Sequence, residues 1–238
     1  MNRGSPSPSA DQVLRYGDIE LLGQLANSSN ETFLIEATHC DEQCWAIYKP
    51  ELGERPLMDF EPGLYRRERA AFLLSETLGW QIVPTTVVRD DGPFGIGSLQ
   101  LFIDHDPTEH VFTLLAQQPE THDQLRRLAL FDLVINNADR KAGHVLYDAA
   151  GRIWGIDHGL SFAAPLKLRT VIWEFADEII APALLEEIAP LAEAVPENIA
   201  EQLTWQESDA LQDRVQGLLF AKRYPDDPTG MRIPWPLV

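Results

Sequence analysis

The sequence is poor in cysteine and in positive charge, and it lacks a long apolar run. Two cysteines, Cys40 and Cys44, are too few to frame a chain of 238 residues with disulfides. With His39 they would give a zinc ion at most three ligands, so THCDEQC is read as a hairpin turn. No stretch reaches the roughly 20 apolar residues of a membrane span. The opening MNRGSPSPSADQ has neither the apolar stretch nor the cleavage pattern of a secretory signal, and the expected location is the cytoplasm. Only 19 Lys and Arg stand against 37 Asp and Glu, for a formal net charge of -18. A field of that sign repels phosphate backbones and anionic lipid surfaces, which argues against nucleic acid as a partner and against stable membrane association. High charge also serves solubility, which is its commoner meaning. No internal repeat is present.

What the chain does have is enough apolar content, 45%, to bury a large core. Residues 1–10, rich in Ser and Pro, read as a disordered tail, and 11–238 as one folded domain. ETFLIEA at 31–37 and CWAIYK at 44–49 flank a polar turn, as in an antiparallel hairpin that Pro50 closes. LYRRERAAFLLSETL, from 64 to 78, is made of good helix formers and is followed by Gly79 where a helix C-terminus wants one. IVPTTVV and IGSLQLFI, separated by RDDGPFG, predict a second strand pair. After Pro107, DQLRRLALFDLVIN has helical spacing, HVLYDAAGRIWGID predicts two short strands about a turn, and 173–223 reads as mostly helical. Strands with one helix come first and helices dominate later, which predicts an α+β architecture with a β-rich lobe over about 11–105 and a mainly helical lobe over about 106–238.

The chemistry concentrates in FDLVINNADRKAGHVLYDAAGRIWGIDHGLSF, where a helix runs into polar residues, a turn and a hairpin. Asp139 and Asp157 fall at the mouths of neighbouring elements. Phosphoryl transfer needs one carboxylate to orient and deprotonate a hydroxyl and another to hold a divalent metal against nucleotide phosphates. Singly, Asp139 reads as a loop cap or a partner of Arg140, and Asp157 as a turn residue before Gly159. Two residues elsewhere change the weighting. Lys49 ends an apolar strand, where an amine needs an anionic partner. Glu68 shares a helix face with Leu64, Ala71 and Phe72, which points its charge partly inward and makes it the natural partner for Lys49.

Together these segments resemble the phosphatidylinositol 3-/4-kinase-like branch of the kinase superfamily, which includes bacterial toxin kinases of the HipA type. AIYKP at 46–50 is similar to the nucleotide-lysine strand of type II phosphatidylinositol 4-kinases, RERAAFLLSETLGWQIVPTT at 67–86 to their Glu-bearing helix and next strand, and GSLQLFID at 97–104 to their hinge. Asp132, Asn137, Asp139 and Arg140 fit the pattern D-x4-N-x-D-R, and GIDHGLSF at 155–162 fits the metal-binding D-x-G segment. The matches keep their order over more than half the chain. ADRKAGHVL is similar to a stretch found in a family of short bacterial proteins within this branch.

The resemblance implies a bilobal protein-kinase-like fold, ATP with magnesium or manganese as cofactors, and a small molecule or protein hydroxyl of unknown identity as phosphate acceptor. It implies Asp139 as catalytic base, Asp157 as metal ligand, Lys49 as phosphate lysine, Glu68 as its orienting partner, and Gln100, Leu101 and Phe102 beside the nucleotide base. Two departures stand out. Where the wider family has a second metal-binding Asn, this chain has His144, which suits manganese or zinc better than magnesium. The nucleotide loop GQLANSSNETF has one glycine and depends on Ser28, Ser29 and Asn30. An active phosphotransferase is the leading expectation, a nucleotide-binding pseudokinase with a regulatory or scaffold role is the second, and a metal-dependent phosphohydrolase leaves Lys49 and Glu68 without a task.

Overall fold

The computed structural model describes residues 9–25, 28 and 30–237. The expected tail over 1–10 falls on residues 1–8, outside those described, and on Ser9 and Ala10, which belong to a helix. The Ser9 hydroxyl accepts the Gln12 N–H at 3.4 Å, and the Gln12 side chain accepts the Ser9 N–H at 2.9 Å. This reciprocal cap satisfies donors that helix α1 (Ala10–Tyr16) would otherwise leave open, so the two residues are structural rather than tail.

The chain divides into two compact units, residues 1–72 with 84–102 and residues 73–83 with 103–238. In the first, β1 (Asp18–Gln24), β2 (Phe33–His39), β3 (Glu42–Pro50), β4 (Thr86–Gly92) and β5 (Gly95–Leu101) form an antiparallel sheet in the order β1-β2-β3-β5-β4. In the β2–β3 hairpin His39 faces Glu42, and Cys40 and Asp41 both have positive φ, 49° and 66°. That turn geometry matches the right-handed twist of the strands, and both cysteines in it are free thiols. The β4–β5 hairpin runs further than the turn residues suggest. Arg89, Asp90 and Asp91 remain in β4, and only Pro93 and Phe94 connect the strands. The Arg89 guanidinium binds the Asp91 carboxylate at 2.6 and 2.7 Å and the Leu14 and Gly17 carbonyls at 3.2 and 2.9 Å, so this polar stretch is satisfied while extended.

Strand alternation sorts β3 into two faces. Ala46 and Tyr48 are fully buried and join Val13 and Leu14 of α1 with Ile35, Ala37, Val87 and Leu99 in one apolar cluster. Burial of each larger member contributes roughly 1.5–3 kcal/mol before entropy is counted. Ile47 and Lys49 take the other face. Helix α2 (Leu64–Thr77) starts at Gly63 and Leu64, whose N–H groups the Glu54 carboxylate accepts at 2.8 and 2.7 Å, an anion placed where the helix dipole favours one.

The second unit holds α3 (Val111–Gln117), α4 (His122–Ile135), the hairpin β6 (Val145–Tyr147) and β7 (Ile153–Gly155), α5 (Pro182–Ile188), α6 (Glu197–Ala200) and α7 (Trp205–Ala221). The stretch over 173–223 is mostly helical, as expected, but the helices come in pieces, with none before Pro182. Pro182 opens α5 after a non-helical Ala181, ψ 131°, and Pro196, itself extended at ψ 140°, precedes α6, so breaks fall at these prolines, whereas the chain stays helical through Ala189 and Pro190. The architecture is α+β, with a β-rich first unit and a mainly helical second. Among the described residues no helix is long and apolar enough to cross a membrane.

Candidate active site

In the first unit the Lys49 ammonium lies 2.6 Å from Glu68 Oε1, with side-chain exposures of 24% and 3%. Strand alternation turns Lys49 away from the apolar cluster, while Leu64, Ala71 and Phe72 bury the Glu68 face of α2. A buried carboxylate holding a partly exposed ammonium fixes the direction of that cation, and a charge-assisted bond this short is among the stronger ones.

In the second unit the site is built outward from the end of α4. Asn136 stops the helix in a left-handed conformation, φ 53°, and its side chain binds the Ala163 and Pro165 carbonyls at 2.8 and 2.9 Å and the Lys167 N–H at 2.9 Å. Asn137 donates to Asp132 Oδ1 at 2.9 Å and accepts the Asp139 N–H at 3.0 Å, which holds the backbone at Asp139 in place. Arg140 is fully buried against Asp132, with Nε 2.9 Å from Oδ2. Its remaining donors reach Asp132 Oδ1 at 2.9 Å, the His144 carbonyl at 3.0 Å, the Ile156 carbonyl at 2.7 Å and His158 Nε2 at 2.8 Å. Every N–H of the guanidinium is therefore used. Gly155 leaves room for this: a Cβ there would sit 2.8 Å from Leu128 and 3.3 Å from Arg140 Nη2.

The consequence of this frame is that Asp139, His144 and Asp157 come together. Asp139 lies 3.2 Å from the Lys141 ammonium and is 24% exposed. Burial raises its pKa above the ordinary carboxylate value, Lys141 pulls against the rise, and the Asp157 charge adds to it. Asp157 has a left-handed backbone, φ 60°, and its Oδ2 lies 3.2 Å from His144 Nε2. His144 Nδ1 lies 3.0 Å from the Asp139 carbonyl and 3.4 Å from the Lys141 N–H. With its proton on Nδ1, His144 donates to the Asp139 carbonyl and turns a lone pair on Nε2 toward Asp157; with its proton on Nε2, it donates to Asp157 and accepts the Lys141 N–H.

That donor set suits a divalent metal, for which Asp157 and His144 would be the protein ligands. Among the described residues no group of three or more His, Cys, Asp or Glu forms a complete metal cage. A cation here would therefore complete its shell with oxygens from water or phosphate, as magnesium does at nucleotide sites.

The remaining sequence candidates are tied up in the first unit. Ser28 Oγ lies 2.7 Å from Thr32 Oγ1, and Ser29 lies outside the described residues. Gln100 is buried, and its amide donates to Thr86 Oγ1 at 2.9 Å, so that side chain is committed within the sheet. The Leu101 N–H goes to the Thr85 carbonyl at 2.8 Å and the Phe102 N–H to the Trp45 carbonyl at 2.9 Å. Sequence reasoning missed the Lys141 pairing of Asp139 and the buried His158. The only available signal was their adjacency to the two aspartates, and adjacency does not reveal direction.

Fold and site together define an α+β chain of two compact units, one bearing an ion-paired lysine and the other an Asp-His-Asp cluster. The chain belongs to the same family as Protein Rv2133c of Mycobacterium tuberculosis, to which it is 39% identical over 262 residues, covering 94% of each chain. No protein-family model matches it. Among solved structures, the crystal structure of a Helicobacter pylori proinflammatory kinase, CtkA, is 11% identical with a TM-score of 0.47, covering 88% of this chain and 94% of that one.

Proposed function

We propose that the chain is an ATP-dependent phosphotransferase that uses magnesium or manganese and acts on a hydroxyl of a soluble small molecule or protein. The observation that carries this reading is the gathering of Asp139, His144 and Asp157 about a single buried arginine. Asp139 acts as the base: its raised pKa makes it a better proton acceptor than an ordinary carboxylate, and its Lys141 partner stabilises the charged form it needs before reaction. Asp157 and His144 hold the metal, which when bound neutralises the phosphate oxygens on which charge develops. Lys49, aimed by Glu68, binds the nucleotide phosphates. The backbone about Leu101 and Phe102 is the proposed position of the base, and Gln100 is left to structure.

The test is nucleotide binding by the full chain. ATP with magnesium or manganese is expected to raise the thermal midpoint, since a ligand of the folded state alone stabilises by about 2.7 kcal/mol at a hundredfold excess over its dissociation constant. No shift with any nucleotide and metal at millimolar concentration removes the reading. A second reading, a nucleotide-binding pseudokinase with a regulatory or scaffold role, is favoured by the 3.2 Å approach of His144 to Asp157, because a protonated imidazole there would occupy the oxygen that a metal needs. Radiolabelled ATP incubated with the protein and a cell extract separates the two by whether any acceptor becomes labelled.

A further inference from the structure

The second unit contains a cavity of about 390 Å³ that shares no residue with Asp139, His144 or Asp157. Its size is that of a small-molecule site, and Leu133, Leu168, Leu218 and Tyr224 make its wall largely apolar. Gly217, within α7, lies on the same wall, and a Cβ there would meet nothing within 4 Å. Glycine weakens a helix interior relative to alanine, and this exposed position leaves open space at the cavity edge.

The charged groups on the wall are Arg214, Arg223 and Asp177. Arg223 Nη1 donates to the Asp177 carbonyl at 2.6 Å. Arg214 is placed differently: Nε donates to the Val134 carbonyl at 3.0 Å and Nη1 to the Ala163 carbonyl at 3.3 Å. Its Nη2 is buried and makes no hydrogen bond among the described residues. Burial depresses the Arg214 pKa to about 10, and the charges of Asp213 and Glu207 only partly oppose this. A guanidinium buried beside apolar groups without a close carboxylate is unfavourable unless an anion completes it.

We propose that this cavity binds a small carboxylate with an apolar body, its head paired with the Arg214 guanidinium and its body lying on the leucines beside Gly217. A neutral molecule of the same shape would leave the guanidinium uncompensated, and with Arg214 and Arg223 against Asp177 on the wall a cation is disfavoured. This site is independent of the phosphotransferase reading.

Octanoate is the probe, with octanol and octylammonium as its neutral and cationic counterparts, titrated into the full chain by calorimetry and thermal shift. Octanoate is expected to bind about tenfold or more tightly than octanol, the difference of one charge-assisted hydrogen bond, and octylammonium not at all. Gly217→Leu adds a side chain at the cavity wall without a backbone clash, so it is expected to weaken octanoate binding while melting no lower than the parent chain. Arg214→Gln is expected to erase the preference for octanoate over octanol. Equal binding of octanoate and octanol by the parent chain overturns the proposal, as does undiminished octanoate binding by folded Gly217→Leu or the absence of octanoate binding at millimolar concentration. The comparison of the three probes uses the unaltered protein, so it decides even if Arg214→Gln fails to fold.

Discussion

Arg140 Nη1 donates to the Ile156 carbonyl at 2.7 Å, so a fully buried cation next to Asp139 grips the residue that precedes Asp157. The same nitrogen holds the His144 carbonyl at 3.0 Å. The spacing of Asp139, His144 and Asp157 thus depends on one guanidinium whose charge is balanced by Asp132.

Breaking that balance should be costly. Asp132→Ala leaves the Arg140 charge buried without its carboxylate, and the expected loss is about 3–5 kcal/mol of unfolding free energy. Urea denaturation reads this as a lower midpoint at unchanged slope. A loss below about 1 kcal/mol would contradict the arrangement of these buried partners.

Asp139 provides a test in which stability and activity move in opposite directions. Its folded-state pKa is raised, chiefly by burial, so the native state holds the proton more tightly than the unfolded chain. Its effect on stability is therefore most favourable at acid pH and is lost as pH rises through the raised value. At neutral pH the charged carboxylate is a net burden. Asp139→Asn should raise the thermal midpoint by about 2 °C or more at pH 7, less at pH 4, and abolish phosphoryl transfer. A lower midpoint at pH 7 would show that the Lys141 pairing outweighs the burial.

For Lys49 the expected loss is in nucleotide binding rather than folding alone. Lys49→Met should reduce the midpoint shift produced by ATP and metal, and Glu68→Gln, which keeps the shape but not the charge, should reduce it by a smaller amount. If ATP shifts both variants as it shifts the parent, Lys49 does not touch phosphate.

Under the proposed function, His144 would set the choice of metal. An imidazole ligand favours manganese and an amide oxygen favours magnesium. His144→Asn should therefore move the preference of nucleotide binding toward magnesium, and Asp157→Ala should remove metal dependence. Unchanged preference in His144→Asn would leave the imidazole a structural role, through its contacts with the Asp139 carbonyl and Asp157.

Membrane association is expected to be absent. With a net charge of -18, the chain should fail to co-sediment with vesicles containing phosphoinositides at physiological salt. Tight co-sedimentation would point to a local basic surface that the net charge conceals.

Local physics made much of this protein legible in its sequence. Strand alternation and a polar turn announced the β2–β3 hairpin, helix formers before a glycine announced α2, and the face shared by Leu64, Glu68, Ala71 and Phe72 turned Glu68 inward, toward a partner such as Lys49. These depend on residues a few positions apart, whose directions follow from the helix and strand periods. The tertiary structure alone decided how Asp139, His144 and Asp157 meet. Their approach runs through left-handed backbone at Asn136 and Asp157, a space kept by Gly155, and a guanidinium that reads carbonyls 4 and 16 residues further along the chain. Taken singly, Asp139 could be read in the sequence as a loop cap or as a partner of the adjacent Arg140. Arg140 is instead the buried partner of Asp132, because the order of residues along a loop does not determine which way each side chain turns.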